Sequence, residues 1–474
     1  MARRKLASLF FGLFGVQALA ASVPREETDQ PAIAPRKVLS FPVSQSRHDE
    51  PQPQSNRLLP RQSDLDTDTK VYNYSSISYL LELDLGTPPQ TVKVVIDTGS
   101  SELWVNPDCS NAASLPQQME CVDNGDYHVS ASDSVEVSKV EAELRYGLGD
   151  AIIRYVRDDI ALPDSDVKLE RVMFGVATES TYMSHGILGL SFGKGVNLNY
   201  NSFVDELVEQ EIIDTRTVGI ALGAKDEEAN SGLITFGGVD TKKFVGDLHS
   251  APILGPQNDE NIRRYWVNLN KVAISDSEGN SKTYSEEEFP VFFDTGSTLS
   301  YLPSDIVEAL SDDLGARRDP FLEQMIVPCD LDGTLHFTFG NFTVDVALHE
   351  FTWELSDGVT CAMGAEPDDS GAYILGASFL RSVYTVYDMD TPAIHFAHYA
   401  NCGTNPQEIP KGDNAAAQFK GECSEDDIPS DASVNSNNGE DDDEDAASRY
   451  AVGGAPMWVT VALVAAYHVA GPFL

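Results

Sequence analysis

"VVIDTGSSELWV", residues 94–105, sets an aspartate directly after three β-branched residues and follows it with Thr98, Gly99, Ser100 and Ser101. An ionised carboxylate is costly to bury without compensation, so Asp97 at the end of an apolar strand needs a reason. The same arrangement returns at residues 291–303, "VFFDTGSTLSYLP", around Asp294. Each copy is followed by an apolar-apolar-Gly element, "GILGLSF" from Gly186 and "YILGASF" from Tyr373. One Asp-Thr-Gly is ordinary turn chemistry, in which the aspartate caps its own loop. Two copies in one hydrophobic frame, each paired with Ile-Leu-Gly, indicate an internal repeat.

Two similar halves of one body usually face each other across a pseudo-twofold axis, where equivalent residues can meet. If Asp97 and Asp294 meet, two carboxylates a few ångström apart cannot both ionise comfortably and hold one proton between them. One then serves as general base on a water while its protonated partner donates to a substrate carbonyl. Gly99 and Gly296 are expected to allow a tight turn at each carboxylate. Thr98, Ser100, Thr295 and Ser297 are expected to supply the donors that orient them.

Around this repeat, residues 71–398 read as short strands separated by Gly, Pro, Asn and Asp, and "SYLLELDLGTPPQTVKVVID" at 78–97 is a strand, a turn and a strand. Helical spacing is confined to "SFVDELVEQEII" at 202–213, with Ser202 as N-cap, and "PSDIVEALSDDL" at 303–314. The fold class is therefore all-β with minor helices.

The ends carry processing signals. Arg3, Arg4 and Lys5 precede an apolar stretch that closes on "ALA" at Ala18–Ala20, the pattern of a signal peptide over 1–20. Residues 21–61, rich in Pro, Gln and Ser, carry Arg36, Lys37, Arg47, Arg57 and Arg61 against an acidic remainder. They read as a propeptide able to neutralise a carboxylate-rich cleft, the other reading being a charged linker. The chain ends on "MWVTVALVAAYHVAGPFL" from Met457 with no basic residue after it, so 448–474 reads as a GPI-attachment signal rather than a stop-transfer helix. Ala446 and Ala447 are candidate attachment sites, and Asn438 is another. The segment 401–447, culminating in "EDDDEDAAS", reads as a solvated, self-repelling spacer. Between these ends the N-terminal lobe is placed at 62–245 and the C-terminal lobe at 246–400.

Six cysteines on a secretory route suggest three disulfides, and proximity favours Cys109 with Cys121, Cys329 with Cys361, and Cys402 with Cys423. No cysteine or histidine spacing resembles a zinc site, so no metal and no cofactor is expected. Asn73 and Asn341 head sequons for N-glycans. A formal net charge of −43 makes nucleic acid and anionic membranes implausible partners.

The chain resembles the pepsin-type (A1) aspartic endopeptidases from Tyr79 to His398. "IDTGSSELWV", "YGLG", "GILGLSF", "YWVNLNKVAI", "FDTGSTLSYLP" and "YILGASFLRSVYTVYD" follow one another in the family's order. The resemblance implies a bilobal fold with two pseudo-twofold-related β lobes around a cleft, hydrolysis without a covalent intermediate, and Asp97 and Asp294 as catalytic dyad. It also implies a β-hairpin flap, with Tyr146, Gly147, Leu148 and Asp150 at its turn and Trp104 supporting the tyrosine. Leu148 and Asp150 depart from the residues common in relatives, which bears on subsite preference. The GPI signal and acidic tail make the chain most similar to the fungal yapsins, implying a monomeric enzyme on the outer face of the plasma membrane or in the cell wall. They also imply peptide or protein substrates and a preference for basic residues, with Asp150 as a candidate contact. The competing reading is a catalytically silent surface binding or adhesion protein on the same fold. Loss of either aspartate would favour it, and both are present.

Overall fold

A computed structural model of the chain describes residues 37–48, 52–53, 72–73 and 76–429, apart from 113–114, 148, 164, 226, 228–231, 259, 321–323 and 356–359. The signal peptide, most of the leader, Leu148, Asn438, Ala446, Ala447 and the C-terminal signal lie outside the described residues. Among the described residues no helix is long and apolar enough to cross a membrane.

Alternation builds the first lobe. In the strand Ser76–Leu85, Leu81, Leu83 and Leu85 are buried while Glu82 is exposed, so the period of two sends one face into the core. Each such fully buried leucine contributes about 1.5–3 kcal/mol. The strand pairs antiparallel with Gln90–Asp97, Leu83 opposite Val92. Gln90–Asp97 in turn lies parallel to Gly186–Gly189, which places Gly189 beside Asp97. The second lobe repeats this. Phe289–Phe293 runs parallel to Ile374–Leu375, with Phe293 beside Leu375. The doubled Ile-Leu-Gly of the sequence is thus the neighbouring strand of each aspartate-bearing strand.

The lobes join through an antiparallel sheet in which Thr217–Ala221 pairs with Val383–Asp388, Gly219 opposite Val386. Gly232–Phe236 continues this sheet on one side, and Ala393–His398 and His249–Pro252 on the other. The leader supplies one more strand, Leu39–His48. Its first half pairs with Gly232–Phe236 and its second with Ser76–Leu80, burying Phe41 and Val43. Lys37 reaches Asp214 at 2.8 Å. The described part of the leader from Leu39 to His48 is therefore built into the sheets.

The two helices occur at Phe203–Glu209 and Ser304–Leu314. Ser202 caps the first in a reciprocal bond with Asp205, and Gly315 ends the second in the left-handed region, φ 65°. A third helix, Leu115–Asp123, carries Cys121 and has no clear apolar period in the sequence. All three disulfides form as proximity suggests.

The spacer expected at 401–447 needs correction over its described part. Pro406–Glu408 pairs with Gly238–Asp240, and Ile409, Ala415 and Ala416 are buried against Val239, Phe244, Tyr384 and Tyr399. With Cys402–Cys423 closing this stretch, residues 401–429 belong to the folded body. Composition concealed this because a few apolar residues suffice to dock a short segment held at one end by a crosslink.

Candidate active site

Strand geometry carries each aspartate to the same place. Thr98 donates its N–H to the Thr295 hydroxyl at 3.1 Å and its own hydroxyl to the Phe293 carbonyl at 2.9 Å. Thr295 mirrors this, its N–H on the Thr98 hydroxyl at 3.0 Å and its hydroxyl on the Ile96 carbonyl at 2.7 Å. Four reciprocal bonds between buried groups tie the two turns together, and the carboxylates one residue earlier are brought side by side, an oxygen of each bordering the space at Gly296.

The donors divide differently from the expectation. Gly99 and Gly296 each give a backbone N–H to the aspartate two residues before, at 2.8 Å in both lobes. Ser100 donates its hydroxyl to Asp97. Ser297 does not do this for Asp294, its hydroxyl turning to the Leu299 carbonyl at 2.8 Å. The threonines hold the lobes rather than the carboxylates, because their β-branched side chains point across the axis. The glycines also have another reason than turn conformation, since neither has a positive φ. A Cβ on Gly99 would sit 2.7 Å from Asp294 Oδ2, and one on Gly296 would sit 2.6 Å from Asp97 Oδ1 and 3.2 Å from Asp294 Oδ1. Each glycine is the space that the opposite carboxylate occupies.

Asp97 is 6% exposed and Asp294 is half-buried. Burial pushes the Asp294 carboxyl well above the usual carboxylate range, and the charge of Asp97 and the hydrogen bond between the two push it further. The Gly296 N–H and the Arg264 charge oppose the rise. Among the described residues no lysine or arginine forms an ion pair with either aspartate. The pair can therefore keep one proton, as a shared acid and base requires.

Over the site lies the hairpin of Glu136–Arg145 and Asp150–Ala161, Arg145 opposite Asp150. Tyr146 closes its turn by donating its N–H to the Gly149 carbonyl at 2.8 Å, with Gly147 between them. Trp104 donates its indole N–H to the Tyr146 hydroxyl at 2.8 Å. Trp104 is itself fixed opposite Ile187 of the Ile-Leu-Gly strand, and Tyr301 holds the corresponding place opposite Ile374. Asp150 is exposed at the mouth of the hairpin. Asn341 is exposed in the turn before Phe342–Ala347, and Asn73 lies in the short strand Tyr72–Asn73.

Two features escaped the sequence. Glu102 lies beneath the hairpin, where burial raises its carboxyl while the hydroxyls of Tyr200 and Tyr155, the latter at 2.9 Å, work against the rise. Arg264 reaches the Gly99 carbonyl from the other lobe. Its place directly before "YWVNLNKVAI" was the available signal, but nothing in the spacing tells where its guanidinium points.

Two Asp-Thr-Gly turns locked to each other, with a tyrosine hairpin held by Trp104, make this the candidate active site. Residues 78–399 match the family described as eukaryotic aspartyl protease. The chain belongs to that family and is an aspartic endopeptidase. It is 32% identical over 339 residues to the Aspergillus fumigatus protein named "Probable aspartic-type endopeptidase opsB", covering 68% of each chain. It is 29% identical over 415 residues to "Aspartic proteinase MKC7" of Saccharomyces cerevisiae, covering 72% of this chain and 68% of that one. "Vacuolar protease A" of Aspergillus fumigatus is 30% identical over 347 residues, covering 70% of this chain and 81% of its own.

Proposed function

We propose that Asp97 and Asp294 are the catalytic dyad of this endopeptidase. The carboxylate of the pair takes a proton from water as its oxygen attacks the scissile carbonyl carbon, and the protonated partner gives its proton to the carbonyl oxygen. Collapse of the tetrahedral species breaks the C–N bond: the proton held by the former base passes to the leaving amine, and one diol hydroxyl returns its proton to the former acid, so that the dyad again holds one proton. Tyr146 and its hairpin close over an extended peptide, exclude bulk water and position the bond, with Trp104 holding the tyrosine hydroxyl. The observation that supports this most is the reciprocal Thr98–Thr295 lock, which brings the two carboxylates together. Asp97→Asn abolishes pepstatin-sensitive cleavage of a mixed peptide library at acidic pH while leaving the circular dichroism of the protein unchanged. Retained pepstatin-sensitive cleavage removes Asp97 from the role.

The finer reading is a secreted zymogen, processed near Arg61 and carried to the outer face of the plasma membrane by a GPI lipid at Ala446, Ala447 or Asn438, acting as a monomer. The three disulfides support an oxidising compartment. Release of the mature protein from cells by a phosphatidylinositol-specific phospholipase tests the anchor. A preference for Lys or Arg near the scissile bond is supported by the acidic surface and by exposed Asp150 beside the hairpin turn. Asp150→Asn then lowers kcat/KM for a basic peptide relative to its neutral analogue. An unchanged ratio takes Asp150 out of the recognition.

A further inference from the structure

The segment "NIRRYWV", residues 261–267, comes from the second lobe but is fastened to the first. The Arg263 N–H meets the Asn197 side-chain oxygen at 2.8 Å, and the Asn197 amide returns to the Arg263 carbonyl at 2.8 Å. Asn197 also holds the Ser101 hydroxyl at 2.9 Å, and Tyr265 gives its hydroxyl to the Leu190 carbonyl at 2.7 Å. This strap delivers Arg264, which is 9% exposed, to the first Asp-Thr-Gly turn. Its Nη1 donates to the Gly99 carbonyl, and its Nε donates to Glu260 at 3.0 Å. The guanidinium carbon lies 5.4 Å from the centre of the Phe292 ring, two residues before Asp294.

The residue that Arg264 grips is the one whose N–H bonds Asp97 and whose missing side chain leaves room for Asp294. We propose that Arg264 is a positioning residue of the dyad. It pins the Gly99 peptide across the lobe boundary and sets a fixed positive charge beside the two carboxylates, with Glu260 as its partial counter-charge. The proposal rests on the dyad assigned above. The charged and titratable groups around the site include Asp97, Asp294, Arg264 and Glu260, with Glu102 and its partners Tyr155 and Tyr200 beneath the hairpin, together with Tyr146 and Tyr387. Burial raises Tyr146 and Tyr387, so they stay neutral where the carboxyls titrate. Arg264 is thus a cation that opposes the mutual repulsion and burial acting on Asp294. A positive charge favours each ionised form, so it draws both the loss of the first shared proton and the loss of the second to lower pH. Glu260 offsets part of that pull.

The test is the pH profile of kcat/KM for one peptide, measured on the secreted, processed enzyme and on Arg264→Gln, Arg264→Lys and Glu260→Gln. Arg264→Gln, two bonds shorter, removes the charge and releases the Gly99 carbonyl, and both limbs of its profile move up by about 0.5–1 pH unit. Arg264→Lys keeps the charge and returns the limbs toward the wild type even if the maximum rate is lower. Glu260→Gln removes the counter-charge and moves the limbs down. An active Arg264→Gln enzyme with unmoved limbs overturns the proposal and makes Arg264 a strut only, and an upward or absent shift in Glu260→Gln does the same. If Arg264→Gln fails to fold, the Glu260→Gln shift decides alone. None of these outcomes touches the dyad reading, which fails only if Asp97→Asn stays active.

Discussion

Thr98→Val keeps the shape of the side chain and deletes one hydroxyl that serves two lobes. In the folded protein that hydroxyl donates to the Phe293 carbonyl at 2.9 Å and accepts the Thr295 N–H at 3.0 Å, and Thr98 and Thr295 are 1% and 2% exposed. The substitution therefore leaves a buried carbonyl and a buried N–H without partners. Each such loss costs about 1–3 kcal/mol, and some relaxation at the turn puts the sum at about 2–4 kcal/mol. A bilobal body of this size need not unfold in one step, so the cost is read locally. Amide hydrogen exchange of a peptide containing Thr295 accelerates by about 30- to 1,000-fold at fixed pH, the conversion being about tenfold per 1.4 kcal/mol. In the same variant kcat/KM falls by about 100-fold, because the carboxylates lose the register that brings them together. Exchange of the Thr295 peptide within threefold of wild type, with activity unchanged, would refute the argument that this lock assembles the site. Unchanged exchange far away, for example around Leu335 and Val346, shows that the effect is confined to the lobe boundary.

Glu350 supplies a pH-dependent test. Burial alone would raise its carboxyl, but the Arg381 charge, His349 and the Lys225 N–H more than offset this and hold it at about 2. Its folded pKa is below the unfolded value, so its contribution is full above about pH 4.5 and is lost as the pH falls toward 2. The order of magnitude is about 3 kcal/mol. Glu350→Gln lowers the thermal midpoint at pH 5 and narrows its difference from wild type by pH 2, whereas a constant difference contradicts the assignment. Replacing Cys402 and Cys423 by Ser costs the folded body about 3 kcal/mol by the loop-entropy relation. It also opens 403–422 to limited proteolysis, and a protected segment means that the docked apolar residues hold without the crosslink. Trp104→Phe removes the indole N–H from the Tyr146 hydroxyl and lowers kcat/KM by about 2- to 10-fold, mainly through KM. A larger fall in kcat alone places Trp104 in the chemistry rather than in hairpin closure.

The aspartate turns, the Ile-Leu-Gly strands and the helices at 203–209 and 304–314 were all legible in the chain, because each is encoded within a dozen residues, and the tyrosine hairpin came with the family resemblance. Alternation marks strands, Ser202 and Gly315 mark helix ends, and duplication of a whole pattern marks symmetry. Legibility fell where a residue's partner is distant in sequence. Ser100 and Ser297 occupy matching positions in the repeat, yet one serves a carboxylate and the other a backbone carbonyl. The leader strand and the docked 401–429 segment were read from their polar composition. Both are held by sheet pairing and a few buried side chains, which average composition does not register.

The sequence alone thus determined the class of fold, the repeated aspartate turns and the disulfide pairs, since local pattern and repetition suffice for these, while the hairpin was implied by the family resemblance. Tertiary structure decided what the neighbouring groups do. The threonines lock lobes, the glycines make room for the opposite carboxylate, and Arg264 brings a charge to a turn 165 residues away in the chain. Each depends on where two surfaces meet, and the geometry of a meeting is set by the packing of both lobes rather than by the residues adjoining either one.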